Sequence, residues 1–205
     1  MNLADALRQC PLIAILRGIR PDEAEPVGDV LVEAGFRVIE VPFNSPEPLR
    51  SIERLARRLD KRAVIGAGTV MSIDDVEKVA AAGGRLIVMP HTDLDVVEAA
   101  RDAGLAVTPG VATPTEAIAA IAAGVDGLKL FPAEMMLPPV VKALRAVLPK
   151  EVILIPVGGI SAANIPAYRA AGADAFGIGS TLYSPGKALA DIRASAVALV
   201  KACRV

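Results

Sequence analysis

Short apolar runs recur along the chain at intervals of about 20 to 26 residues, and the stretches between them carry apolar positions at a helical period. The runs read as strands over residues 12–16, 38–43, 63–67, 85–89, 106–108, 127–131, 152–157 and 175–178. The intervening patterns predict helices over 24–33, 48–59, 73–81, 93–102, 114–122, 138–147 and 164–170, with a closing helix over 187–201. Five of the helices end in Ala-Gly, at Ala34-Gly35, Ala82-Gly83, Ala103-Gly104, Ala123-Gly124 and Ala171-Gly172. Glycine there supplies the left-handed residue that stops a helix and turns the chain into the next strand. Eight strands in even alternation with helices predict an α/β protein, a single (β/α)8 TIM barrel with short loops. An open doubly wound sheet is the alternative, and the even spacing favours closure. Residues 1–9 form an extra helical start ahead of the first strand.

A chain of 205 residues that is 53% hydrophobic can bury a full core, and no linker divides it, so residues 1–205 are expected to form one domain. The net charge is −1, with no long run of either sign and no tryptophan, so nucleic acid is not an implied partner. No run reaches the length of a membrane span, and the start lacks the apolar core of a signal segment. Cys10 and Cys203 give neither metal spacing nor a disulfide framework, which suits a cytoplasmic protein.

Against this pattern the anomalies stand out. Lys129 lies in the middle of Gly127-Leu128-Lys129-Leu130-Phe131-Pro132, whereas the other six lysines lie on charged helical faces, in loops or near the C-terminus. A buried ammonium either pairs with an acid or sheds its proton, and an amine of depressed pKa is a nucleophile toward ketones. Glu40 sits in Val38-Ile39-Glu40-Val41-Pro42, where strand alternation gives it the face of Val38 and Pro42. It reads either as the proton-transfer group beside that amine or as a charge that merely neutralises it.

In the predicted architecture the functional rim lies where strands end. Gly158-Gly159 and Gly179-Ser180 close the last two strands, and the exposed amides of such turns suit a phosphate. Arg17, at the end of the first strand, has the geometry to bind a carboxylate. Thr69, after Gly66-Ala67-Gly68, offers a hydroxyl to the same end of a substrate, or caps the next helix. Arg20 and Arg37 read as solvated, His91 as a surface or rim residue, and Asp126 and Asp174 as lying on the opposite, stabilising face. Together these positions describe a phosphorylated keto acid whose ketone reaches Lys129. No His, Asp and Glu cluster occurs at metal spacing, so no metal is expected and the electrophile is expected to be an iminium.

Four segments resemble the bacterial keto-deoxy-phosphosugar-acid aldolases: Pro11-Leu12-Ile13-Ala14-Ile15-Leu16-Arg17-Gly18, Glu40-Val41-Pro42-Phe43-Asn44-Ser45-Pro46, Ile65-Gly66-Ala67-Gly68-Thr69-Val70, and Leu128-Lys129-Leu130-Phe131-Pro132. The resemblance runs from about residue 10 to the C-terminus. It implies a Schiff base on Lys129, proton transfer by Glu40, a pyruvyl end held by Arg17 and Thr69, and a phosphate held by Gly158, Gly159, Gly179 and Ser180. It further implies that Pro90 and Phe131 line the pocket, that no cofactor takes part, that pyruvate and glyceraldehyde 3-phosphate are the products, and that the protein is a homotrimer.

Members acting on the gluconate-derived substrate typically have Thr-Gly-Gly where this chain has Val157-Gly158-Gly159. They also have Leu-Arg-Thr where it has Phe43-Asn44-Ser45. Valine cannot hydrogen-bond a C4 hydroxyl, so the galactonate-derived C4 epimer is the expected substrate. The other readings are activity on the gluconate epimer or on both, a phosphosugar isomerase or epimerase, and a non-catalytic barrel that binds sugar-acid phosphates.

Overall fold

The computed structural model describes residues 1–203. Helix α1 (Leu3–Gln9) precedes β1 (Leu12–Ile15), as the sequence predicts. There follow α2 (Pro21–Ala34), β2 (Val38–Pro42), α3 (Pro48–Arg58), β3 (Val64–Gly68), α4 (Ile73–Ala81), β4 (Leu86–Val88) and α5 (Leu94–Asp102). The second half runs β5 (Ala106–Thr108), β6 (Gly110–Val111), α6 (Pro114–Ala122), β7 (Leu128–Leu130), α7 (Pro138–Val147), β8 (Leu154–Pro156), α8 (Ile165–Ala170), β9 (Phe176–Ile178) and α9 (Leu189–Ala202). The glycines of the five Ala-Gly helix stops all have positive φ, from 71° to 119°. Other local signals act as their chemistry requires. Thr113 and Glu116 form a capping box around Pro114 and start α6.

Strands β5-β4-β3-β2-β1-β9 form one parallel sheet, half a barrel in form, and β6-β7-β8 form a second. The fifth predicted strand, 106–108, is β5, and the chain continues past its predicted end into β6: Pro109 has no N–H to give a ladder, and it separates the two. The two sheets approach again where Val157, just past β8, bridges Gly177 of β9.

Alternation sorts the strands into two buried layers, as expected of parallel strands covered on both faces. Leu12, Ala14, Ile39, Val41, Ile65, Ile87, Val107, Leu128, Leu130, Leu154, Phe176 and Ile178 pack outward with the helices. Ile13, Ile15, Val38, Val64, Leu86, Val88, Ile155 and Val157 form the opposite layer, together with Leu3, Ala6 and Leu7 of α1. Helix α1 therefore covers the N-terminal end of the inner layer and leaves the C-terminal end as the accessible one.

The N-terminal face is stitched by carboxylates. Asp126 Oδ2 accepts from Val107 N–H at 2.9 Å, and Asp174 Oδ2 accepts from Leu154 N–H at 2.8 Å. Arg37 is not simply solvated: it is half-buried and donates to the carbonyls of Val32 and Phe36 at the end of α2. Asp174→Ala leaves the amide of fully buried Leu154 without its partner. It is expected to destabilise the protein by about 1–3 kcal/mol, read as a fall in denaturant midpoint with unchanged slope. An unchanged midpoint would mean that the contact contributes nothing net.

Candidate functional site

Glu40 and Lys129 occupy inward positions near the C-terminal ends of their strands. Glu40 pairs in register with Ile15 on one side and Gly66 on the other, and Lys129 with Gly110 and Ile155. Both are buried, at 2% and 6% exposure. Space for Glu40 comes from β3: a Cβ added at Gly68 would overlap Glu40 Oε2. Gly68 is therefore needed because an adjacent strand carries a long side chain into that layer, whereas Gly66 is needed because the Leu86 backbone of β4 approaches it closely.

The two charges do not form a salt bridge. No ion pair joins them, and Glu40 Oε2 is buried without a hydrogen-bond partner. Burial is the leading influence on each. It pushes the Glu40 carboxyl up to about 7, against the pull of the positive charges of Lys129 and Arg17. Burial likewise pushes the Lys129 amine down; the Glu40 charge opposes that shift and the Arg17 charge adds to it. A dominant ion pair would move both groups the other way, so the geometry favours a nucleophilic amine beside a proton carrier over mutual neutralisation. The Lys129 amine lies 4.6 Å from the ring centroid of Phe131.

Neither the Glu40 nor the Lys129 side chain lines the neighbouring cavity of about 350 Å³. Ile15, the register partner of Glu40, and Phe131, whose ring faces the Lys129 amine, both do, together with Arg17 and Val157 and a floor of Gly158, Gly159, Gly179 and Ser180. Gly158 and Gly159 both have positive φ, 117° and 60°, and make a tight turn with backbone exposed to the cavity. Asn164 Nδ2 holds this turn by donating to Gly159 O at 2.9 Å. Thr181 donates to Ile160 O at 2.9 Å, which ties the turn after β8 to the one after β9. Backbone groups and the Ser180 hydroxyl thus converge with Arg17 on one concavity, a chemistry suited to an anionic ligand. A cavity of about 470 Å³ on the N-terminal face is larger but is lined by none of the predicted site residues. It is lined by residues such as Arg8, Cys10, Arg169 and Cys203, so volume alone does not mark the site. Among the described residues, no three His, Cys, Asp or Glu side chains gather as metal ligands.

Besides Lys129 and Glu40, two predicted residues lie apart from the cavity wall. Pro90 packs its carbonyl against Gly110, the register partner of Lys129, and so backs the site from behind. Thr69 follows β3 in a left-handed conformation, φ 58°, which is uncommon for a β-branched residue and marks strain at this rim. It does not cap the next helix: Ser72 does, accepting from Asp75 N–H. His91 is exposed on the loop after β4, a surface or rim residue as predicted.

Three residues that line or brace the cavity were given no role in the sequence reading. Glu134 carries its carboxylate against Gly158, Tyr183 lines the wall, and Asn44 hydrogen-bonds Arg17. Glu134 was signalled only by its place three residues after Phe131, directly past the strand that bears Lys129.

Residues 3–198 match the family model of the KDPG and KHG aldolases. The chain is 48% identical over 192 residues to a probable 2-dehydro-3-deoxy-6-phosphogalactonate aldolase of Rhizobium meliloti (strain 1021), covering 94% of this chain and 91% of the relative. It is 42% identical over 194 residues to the 2-dehydro-3-deoxy-6-phosphogalactonate aldolase of Escherichia coli (strain K12), covering 95% of each. A solved structure described as native KDPGal superposes with a TM-score of 0.93 at 42% identity, covering 95% of this chain and 94% of that one.

The Glu40 environment makes a prediction about stability. The unfolded chain releases this proton near 4.5 and the folded protein near 7, so the folded state binds it more tightly. Stability associated with Glu40 therefore falls as pH rises through that window and stays low above it. Glu40→Gln is expected to be more stable than the parent at pH 8, by on the order of 2–3 kcal/mol, with the difference shrinking by pH 5. Equal denaturant midpoints at pH 8 would show that Glu40 is not held in a desolvated site.

Proposed function

Because the chain belongs to the KDPG and KHG aldolase family, we propose that it is a Schiff-base aldolase cleaving 2-dehydro-3-deoxy-6-phospho-D-galactonate to pyruvate and D-glyceraldehyde 3-phosphate. The observation that carries the mechanism is the unpaired burial of Lys129 and Glu40 on one face beside an anion-suited cavity.

Neutral Lys129 attacks the C2 ketone, and Glu40, directly or through one water, moves protons while the carbinolamine loses water. The resulting iminium is an electron sink. Deprotonation of the C4 hydroxyl breaks the C3–C4 bond, releases the aldehyde and leaves an enamine on Lys129. Protonation at C3 and hydrolysis then free pyruvate and regenerate the amine. A carboxyl poised near 7 can give and take a proton within one cycle at neutral pH. Arg17 and Thr69 hold the pyruvyl carboxylate end. Gly158, Gly159, Gly179 and Ser180 hold the phosphate, and Pro90 and Phe131 shape the pocket between them. Two anchored ends fix the reacting carbonyl against the amine.

The choice of epimer rests on Val157. It is buried at 8% exposure on the cavity wall between Phe131 and Gly158, where its side chain offers no hydrogen bond to a C4 hydroxyl. We also propose that the two sheets close as one (β/α)8 barrel within one domain, with β5 and β6 counting as a single strand; the Val157–Gly177 bridge supports this. A homotrimer is proposed on the same family grounds, and exposed Met135, Leu137 and Val140 provide apolar surface for a subunit contact. Cysteine usage supports a cytoplasmic setting.

Pyruvate release from the two C4-epimeric acids, measured side by side, tests the function. The galactonate epimer should be cleaved with the higher kcat/KM, and Val157→Thr should shift the ratio toward the gluconate epimer by roughly 10-fold. Cleavage of neither acid would overturn the reading. Borohydride should trap pyruvate on the parent protein and not on Lys129→Ala; labelling that survives the substitution would place the nucleophile elsewhere. Glu40→Gln should slow exchange of the pyruvate methyl protons by roughly 10²-fold.

A further inference from the structure

Arg17 is exposed at the end of β1, on a long side chain with many rotamers, yet recognition of a carboxylate requires a guanidinium held in one orientation. The turn after β2 supplies that constraint. Asn44 Oδ1 accepts from Arg17 Nη1 at 2.6 Å, and the adjacent Ser45 Oγ accepts from Gly18 N–H at 2.9 Å. The clip is itself anchored: Ser45 is buried, and its own N–H donates to Pro42 O at 2.9 Å. Neighbouring residues of one turn therefore hold both the side chain of Arg17 and the backbone that follows it.

The chemistry of the acceptor matters as much as its place. Among the described residues, Arg17 forms no ion pair, although Arg20, Arg50, Arg54 and Arg58 all do. A neutral amide orients a guanidinium without neutralising it, whereas an aspartate at the same position would orient it and cancel its charge. The geometry points to Asn44, with Ser45 as its backbone anchor, as the positioning residue that aims Arg17 at the substrate carboxylate while leaving the guanidinium charge available. This inference rests on the carboxylate role proposed above for Arg17.

The same placement reaches the reacting pair. Arg17, after β1, draws both Glu40 on β2 and Lys129 on β7 downward in pKa, and Glu134, after β7, is the other charged group on the cavity wall. Releasing Arg17 from Asn44 moves a positive charge away from Lys129. Its amine then holds a proton more tightly, so less of it is nucleophilic at a given pH.

The test is exchange of the pyruvate methyl protons into deuterated water, followed by NMR on full-length protein for the parent, N44A, N44D, R17A and R17A/N44A, with thermal melts confirming that each is folded. N44A is expected to raise the half-saturating pyruvate concentration by about 5- to 10-fold while the maximal exchange rate changes by less than about 3-fold. Its acid limb should move to higher pH. N44D should also weaken pyruvate binding, because it neutralises the guanidinium. In the R17A background, N44A should add less than about 2-fold, since Asn44 acts through Arg17.

Unchanged half-saturation in N44A, a full N44A effect without Arg17, or parent-like binding by N44D would each overturn the inference while leaving the aldolase reading intact. So would a loss confined to glyceraldehyde 3-phosphate in the condensation direction. No exchange by the parent protein would remove the aldolase reading, and this inference with it.

Discussion

Desolvation of two opposite charges on one buried face is the constraint around which this molecule is arranged. Glu40 and Lys129 are each taken out of water, yet they do not meet as an ion pair that would offset that penalty. Direct contact would trap both charges and leave neither group reactive. Held apart, each leans toward its neutral form, the form that the proposed roles of amine nucleophile and proton carrier require, with the carboxyl near 7. The surrounding sequence makes this possible by subtraction: the glycine at position 68 clears the volume that the Glu40 carboxyl fills.

Stability to support such a site comes from elsewhere. The inner layer is apolar below the reacting pair, where Ile13, Val38, Val64, Leu86 and Ala175 pack together and α1 covers the N-terminal end. Polar groups on that face serve the backbone, as Asp126 and Asp174 do in accepting from strand amides. At the opposite end the loops are short and carry the cavity, the strained Thr69 and the Asn44–Arg17 contact. The division follows from parallel strands: all C-terminal ends share one rim, so one end can be given to packing and the other to chemistry.

Residues legible in the sequence were those at odds with their immediate neighbours. Lys129 between leucines and Glu40 between isoleucine and valine are conspicuous because a strand buried on both faces has no use for an isolated charge. The Ala-Gly helix stops and the glycine turns at 158–159 are legible for a related reason, since a positive φ is a local demand that a local residue must meet. Thr69 shows the limit of that method: its sequence suits a helix cap, but Ser72 lies closer to the first turn of α4 and takes the role. Glu134 and Asn44 gave no such signal, because a polar residue in a polar loop conflicts with nothing around it.

What the sequence by itself determined was the order of strands and helices, the two buried charges, and the family to which the motifs belong, because each is written in periodicity or in residues local to one another. The tertiary structure alone decided that the chain continues past Pro109 into β6 and that Glu40 and Lys129 stay out of ion-pair contact. It also decided that Arg17 is held by a residue 27 positions away. These are relations between strands whose register and separation arise only when the sheet curves and packs, so no local pattern along the chain encodes them.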